Sequence, residues 1–143
     1  MKSCTFFGHR HIYEKIEVAL ETLLMKLIEN NVSIFYIGSQ GDFDHIVINI
    51  LKSLKNIYPH ICYYVVLAYI PTEKNNHITD NYENTIYPDG LEFVPPKYAI
   101  LKRNRWMIEN SDYVVFYNKN SLSNTAKLKT ISEKLGKIVI DII

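Results

Sequence analysis

Apolar positions along this chain alternate between two periods. Cys4 to Phe7 is a short apolar run stopped by Gly8, the pattern of a strand that ends in a turn. Ile16, Ala19, Leu20, Leu23, Leu24, Leu27 and Ile28 then fall on one helical face, with Glu17, Glu21, Lys26 and Glu29 elsewhere. This spacing predicts an amphipathic helix that stops at Asn30-Asn31. Val32 to Ile37 is β-branched and aromatic, a second strand, and it runs into Gly38-Ser39-Gln40-Gly41-Asp42. Phe43, Ile46, Val47, Ile50, Leu51 and Leu54 mark a second helix, closed by Pro59. Ile61 to Ile70 is almost continuously apolar, which suits a strand covered on both faces.

From Pro71 to Pro96 the pattern becomes polar and turn-rich, with Asn75-Asn76, Pro88-Asp89-Gly90 and Pro95-Pro96. A short helix fits Asp80 to Thr85. An excursion of this length, 71–97, reads as a binding loop or lid. A disordered insertion is the alternative, but Tyr82, Tyr87, Leu91 and Phe93 give the segment apolar anchors. Periodicity resumes with a helix over Tyr98 to Asn110, a strand over Asp112 to Tyr117 and a helix carrying Ala126, Leu128, Ile131 and Leu135. Gly136 is its expected C-cap, and Ile138 to Ile143 is the final strand.

Strands alternating with helices predict βαβ units. The expected architecture is a single α/β domain over 1–143, Rossmann-like, with a mostly parallel sheet and helices on both faces. In such sheets ligands bind beyond the carboxyl ends of the strands, where the strand order reverses. The loops after the first, second and fifth strands are therefore the first places to search.

Composition narrows this picture. The 143 residues are 48% hydrophobic and 22% charged, enough for a packed core without disulfides or metals. A formal net charge of +1 gives no global field, so nucleic acid and anionic membrane are not expected partners. No run approaches the about 18 apolar residues of a membrane span, and the N-terminal apolar run is too short for a signal peptide. A cytoplasmic location is the corresponding expectation. Cys4 and Cys62 sit in strand patterns and are expected to be reduced core thiols.

Several residues could carry chemistry. In Gly8-His9-Arg10, the glycine admits close backbone approach and the guanidinium suits phosphate or carboxylate. His9 and Arg10 could equally do no more than solvate a strand end. The segment Gly38-Ser39-Gln40-Gly41-Asp42-Phe43-Asp44 resembles a phosphate-cradling turn, without matching G-x-G-x-x-G or a Walker loop. Asp42 suits a helix cap, and Asp44 could accept hydrogen bonds from a ribose or base. Arg103 and Asn104 on one helix could bind an anionic group, while Trp106 fits the core better than a stacking surface. Ser123 and Thr125 precede the last helix, where hydroxyls and free N–H groups bind anions. His9, His11, Asp42, Asp44 and His45 match no zinc spacing, so no metal is expected, and no motif calls for a cofactor.

Taken in order, Ser3-Cys4-Thr5-Phe6-Phe7-Gly8-His9-Arg10, Phe35-Tyr36-Ile37-Gly38 with Gly41-Asp42-Phe43-Asp44, Tyr58-Pro59-His60, Thr85 to Glu92 and Arg103 to Tyr113 resemble the YpsA-like branch of the SLOG superfamily over essentially the whole chain. The resemblance implies a Rossmann-like fold and association with nucleotides or nucleotide-derived signals, including some made from NAD. Related Lonely Guy enzymes cleave the N-glycosidic bond of nucleoside monophosphates, and their self-association implies a homodimer. One departure stands out. Where relatives carry a Gly-Gly pair before the last helix, this chain has Ser123-Asn124, so side chains occupy the place where backbone approaches phosphate. The Lonely Guy glutamate is also missing: Lys127, Leu128 and Lys129 follow, with no carboxylate before Glu133.

The expectation is therefore a binding module for a nucleotide-type small molecule. Its ligand residues are Gly8, His9, Arg10, Gly38, Ser39, Gln40, Gly41, Asp44, Arg103, Asn104, Ser123 and Thr125. A nucleotide glycosidic hydrolase is the first alternative, with Asp42, Asp44 and Glu109 as candidate carboxylates. A partner-binding protein with a vestigial pocket is the second.

Overall fold

The computed structural model describes residues 1–39, 41–70, 84–117 and 124–142. Among the described residues the strands and α-helices follow in this order: β1 Lys2–Gly8, α1 Glu17–Glu29, β2 Val32–Ile37, α2 Asp42–Ile57, β3 Cys62–Val66, β4 Thr85–Ile86, α3 Pro96–Glu109, β5 Tyr113–Tyr117, α4 Asn124–Lys134 and β6 Ile138–Asp141. The strands form one sheet of order β4-β3-β2-β1-β5-β6, every pair parallel. The chain lays β2, β3 and β4 outward on one side of β1, then returns to place β5 and β6 on the other. The order thus reverses between β1 and β5, which is where a Rossmann-like sheet opens a crevice.

Alternation along β1 builds both cores. Cys4 and Phe6 face one side, where they meet Leu20, Leu24, Leu27 and Ile28 of α1 and Phe43, Val47, Ile50, Leu51 and Leu54 of α2. Phe7 faces the other and packs with Val66, Val114, Phe116, Met107 and Ile108 of α3 and Leu128 of α4. The polar Thr5 is completely buried between them, and its hydroxyl donates to the Tyr36 carbonyl at 2.9 Å.

The helix ends follow local chemistry. Asn31 takes φ +72°, the left-handed conformation that ends α1. Pro96 opens α3, where its missing N–H and fixed φ cost nothing. Gly136 at φ +74° ends α4, its N–H donating to the Glu133 carbonyl at 3.1 Å.

Three expectations are corrected. The apolar run from Ile61 to Ile70 gives a strand only over Cys62–Val66. Its outer neighbour β4 is two residues long and pairs only with Val65 and Val66. Cys62 is consequently exposed at a sheet edge, whereas Cys4 is buried and burial pushes its thiol pKa up. Thr85 opens β4 rather than ending a helix; residues 80–83 of that expected helix lie outside the described residues. Among the described residues, no helix is long and apolar enough to cross a membrane.

Candidate functional site

The loops after β1 and β2 are tied together. Gly41, at φ +92°, precedes α2, and a Cβ there would lie 2.7 Å from the Arg10 Cα. The Asp42 N–H donates to the Arg10 carbonyl at 2.8 Å, and the Ile12 N–H donates to Asp42 Oδ2 at 3.0 Å. Asp42 therefore holds the β1–α1 loop instead of capping α2, as its place in the sequence suggested. Gly41→Ala is expected to lower stability by about 1–2 kcal/mol, through the left-handed φ and the lost clearance over Arg10. A urea midpoint equal to wild type would contradict this.

Beyond this junction lies a cleft of about 230 Å³. Gly8, Arg10, Gly38, Asp44, Arg103, Asn104 and Thr125 line it, with Phe6, Phe7, Ile100, Met107 and Leu128 as apolar walls. Both strand-end glycines are required by internal packing. A Cβ on Gly8 would sit 2.2 Å from Cγ of Phe43, and one on Gly38 would sit 2.9 Å from Asp44 Oδ2 and 3.2 Å from Arg103 Nη1.

The floor is a buried pair of opposite charges. Arg103 is 3% exposed and Asp44 8%. Arg103 Nη1 donates to the Val66 carbonyl at 3.3 Å, and Nε donates to Asn104 Oδ1 at 3.0 Å. Burial lowers the Arg103 pKa, and the charge of Asp44 opposes that shift. The guanidinium stays charged, with Nε and Nη1 already engaged.

The remaining predicted site residues separate. His9 is half-buried, edge-on to Tyr117 with ring centroids 5.6 Å apart, and Ser39 is also half-buried; neither lines the cleft. Thr125 is buried at the start of α4. Gln40 and Ser123 lie outside the described residues. Glu109 is placed away from the cleft. It ends α3 beside the starts of the strands, where its carbonyl accepts from Lys137 Nζ at 3.4 Å and its carboxylate faces Arg105 at 3.7 Å. Next to it, the Asn110 carbonyl accepts from Ser3 Oγ. Sequence reasoning missed Phe43, which fixes Gly8, and the Val66 carbonyl, which anchors Arg103. Gly8 and Phe43 stand far apart in the chain, so no local pattern carries a signal for that contact.

A parallel sheet with a cleft at the reversal of strand order defines a Rossmann-like α/β protein. The YspA SLOG family model matches residues 2–138, and the chain belongs to that family. None of the curated proteins matches it in sequence. Among solved structures, it is similar to DNA processing protein A from Helicobacter pylori, described by its single-stranded DNA binding mode. That match has a TM-score of 0.66 and 19% identity, and covers 98% of this chain and 64% of the other. DNA processing protein A from Streptococcus pneumoniae is similar too, with a TM-score of 0.70, 16% identity, and 98% and 50% of the two chains covered. This chain thus spans between half and two-thirds of those proteins. The expectation that nucleic acid is no partner is overturned by the Helicobacter protein, which carries this fold and binds single-stranded DNA. Net charge sums the whole surface, whereas phosphate contacts need only a local set of cations.

Proposed function

We propose that this protein binds a nucleotide or nucleotide-derived small molecule in the cleft at the ends of β1 and β2. The carrying observation is convergence: Arg10 from the β1–α1 loop, Asp44 from α2, Arg103 and Asn104 from α3 and Thr125 from α4 meet around one cleft beside the reversal of strand order. Arg10 is the exposed cation at the mouth and is suited to a phosphate. Thr125, at the start of α4, adds a hydroxyl and the N–H groups of a helix end.

Binding without hydrolysis is the better supported reading. Hydrolysis of an N-glycosidic bond needs a carboxylate free to activate water or to stabilise oxocarbenium character, and Asp44 is set against the Arg103 guanidinium. Of Asp42, Asp44 and Glu109, only Asp44 lines the cleft.

Calorimetric titration with nucleoside 5′-monophosphates, cyclic ADP-ribose-type signals and a short single-stranded DNA tests the proposal. Saturable binding of a mononucleotide or a signal is expected, with no free base released. Failure of every small nucleotide to bind at high micromolar concentration, with the DNA binding instead, would replace this reading by a nucleic-acid one. Arg10→Ala should weaken a monophosphate about tenfold or more, the worth of a charged hydrogen bond, without affecting the matching nucleoside. Equal losses for both ligands would remove the phosphate role.

A further inference from the structure

We propose that the outer edge of β6 is a docking surface for a second copy of this chain. The second copy pairs its own β6 antiparallel across a two-fold axis at Val139, joining the two sheets into one. Charge identifies the occupant: in that register, and not in its neighbours, each Lys137 stands opposite Asp141 of the second copy.

The strand order ends at β6, and among the described residues no strand lies beyond it. The N–H groups of Ile138 and Ile142 point inward, donating to the Asp112 and Phe116 carbonyls at 3.1 and 2.8 Å. Backbone groups alternate along a strand, so the N–H and C=O of Val139 and Asp141 point out to the edge. Proteins usually blunt such an edge with proline, a bulge or repelling charges. Ile138-Val139-Ile140-Asp141 carries no proline or glycine and pairs with β5 without a bulge. Ile138 is 54% exposed. The opposite edge of the sheet offers far less, because β4 spans 2 residues.

Side chains set the register. An antiparallel pair centred on Val139 places Val139 against its own copy, Ile138 against Ile140 and Lys137 against Asp141. Val139 and its copy then exchange both backbone hydrogen bonds, and each Asp141 N–H reaches the Lys137 carbonyl of the second copy. Val139 packs with the core under α3 and α4, and Asp141 pairs with Lys129 of α4 at 2.7 Å, so alternation puts Lys137 on that same side of the sheet. Unlike charges set opposite each other stabilise an antiparallel pair, and like charges oppose it. The Asp141 side chain is still 47% exposed beside Lys129, which leaves it open to a second cation. On the other face Ile138 gains cover from Ile140. Moving the axis to Ile140 sets Asp141 against Val139, and moving it to Asp141 sets two carboxylates face to face, so sliding loses the charge match. Because α4 lies against β5 and β6, the axis also brings the two α4 helices side by side. An axis normal to the sheet reverses the strands, so the two clefts open at opposite ends and neither is covered.

Sedimentation equilibrium of the wild-type protein, carried to high micromolar concentration, should show monomer and dimer in exchange. Lys137→Glu and Asp141→Lys each set like charges opposite one another twice per dimer. Each should weaken self-association about 10- to 100-fold. Mixed in equal amounts, the two variants should form a heterodimer about as tight as the wild-type dimer, since every opposed position then joins unlike charges. A wild-type protein that stays monomeric at high micromolar concentration would overturn the inference. A dimer that both variants leave unchanged, or a mixture no tighter than either variant alone, would overturn it too, by placing the contact on another surface. If Asp141→Lys, which gives up the Lys129 pair, does not fold, Val139→Pro takes its place. It removes an outward N–H while sparing the ladder with β5, and it should leave the protein monomeric; a dimer that persists in it overturns the inference as well.

Discussion

Replacing Arg103 by methionine should destabilise the protein by about 3–5 kcal/mol, the cost of leaving a buried charge without its partner. For a domain of this size, that lowers the thermal midpoint by roughly 10–20 °C. Arg103 is almost wholly buried and faces Asp44, which is itself buried at the start of α2. Methionine keeps much of the side-chain length, so the loss is electrostatic rather than a cavity. It also releases the Val66 carbonyl, which receives Arg103 Nη1 where the sheet gives way to loop. The companion variant separates these effects. Adding Asp44→Asn to Arg103→Met removes the stranded charge and should restore much of the stability, giving a coupling well above 1 kcal/mol. Trp106, the single tryptophan, packs edge-on to Tyr36 and reports unfolding in urea. A single variant within about 1 kcal/mol of wild type, or a double variant no better than the single, would show that the pair does not hold the floor together.

Gly8→Ala should be the next most damaging small change. A Cβ at that position would lie 2.2, 2.4 and 2.7 Å from three atoms of the Phe43 ring. The ring cannot simply step aside. Phe43 is fully buried and stacked on Tyr117, with centroids 6.1 Å apart and the planes 13° from parallel. Overpacking of this kind costs about 1–3 kcal/mol. Asp44 follows Phe43 directly, so displacing the ring also moves the carboxylate, and ligand affinity should fall together with stability. Shrinking the ring by Phe43→Leu should recover part of the loss in Gly8→Ala. A neutral Gly8→Ala would mean that the α2 turn is free to shift and that the cleft is less rigid than its packing implies.

Much of the fold is legible in the residues because each element carries its own period and its own stop. Leu20, Leu24, Leu27 and Ile28 draw the inner face of α1, and Asn31 ends it with a positive φ. What the pattern cannot convey is what lies beside a strand. The run from Ile61 to Ile70 is apolar throughout, yet β4 spans two residues, so Cys62 emerges at an edge and the strand ends at Val66. The candidate cleft is legible as a place where predicted residues gather. Gly8, Arg10, Gly38, Asp44, Arg103, Asn104 and Thr125 do share one cleft. Roles within it were harder to read. The glycines looked like room for a ligand, but their missing Cβ atoms make room for Phe43 and for the Asp44–Arg103 pair. Asp42 looked like a helix cap, but it holds the neighbouring loop through the Ile12 N–H. Glu109 is six residues from Arg103 on α3, about 9 Å along the axis, and that carries it towards the other end of the strands, where they start.

The most direct measurement is a crystal structure of the wild-type protein grown with saturating ribonucleoside 5′-monophosphate. The account predicts density in the cleft beside Gly8 and Gly38, with the phosphate on Arg10. A nucleotide bound on another surface, or a cleft left empty at saturation, would contradict it.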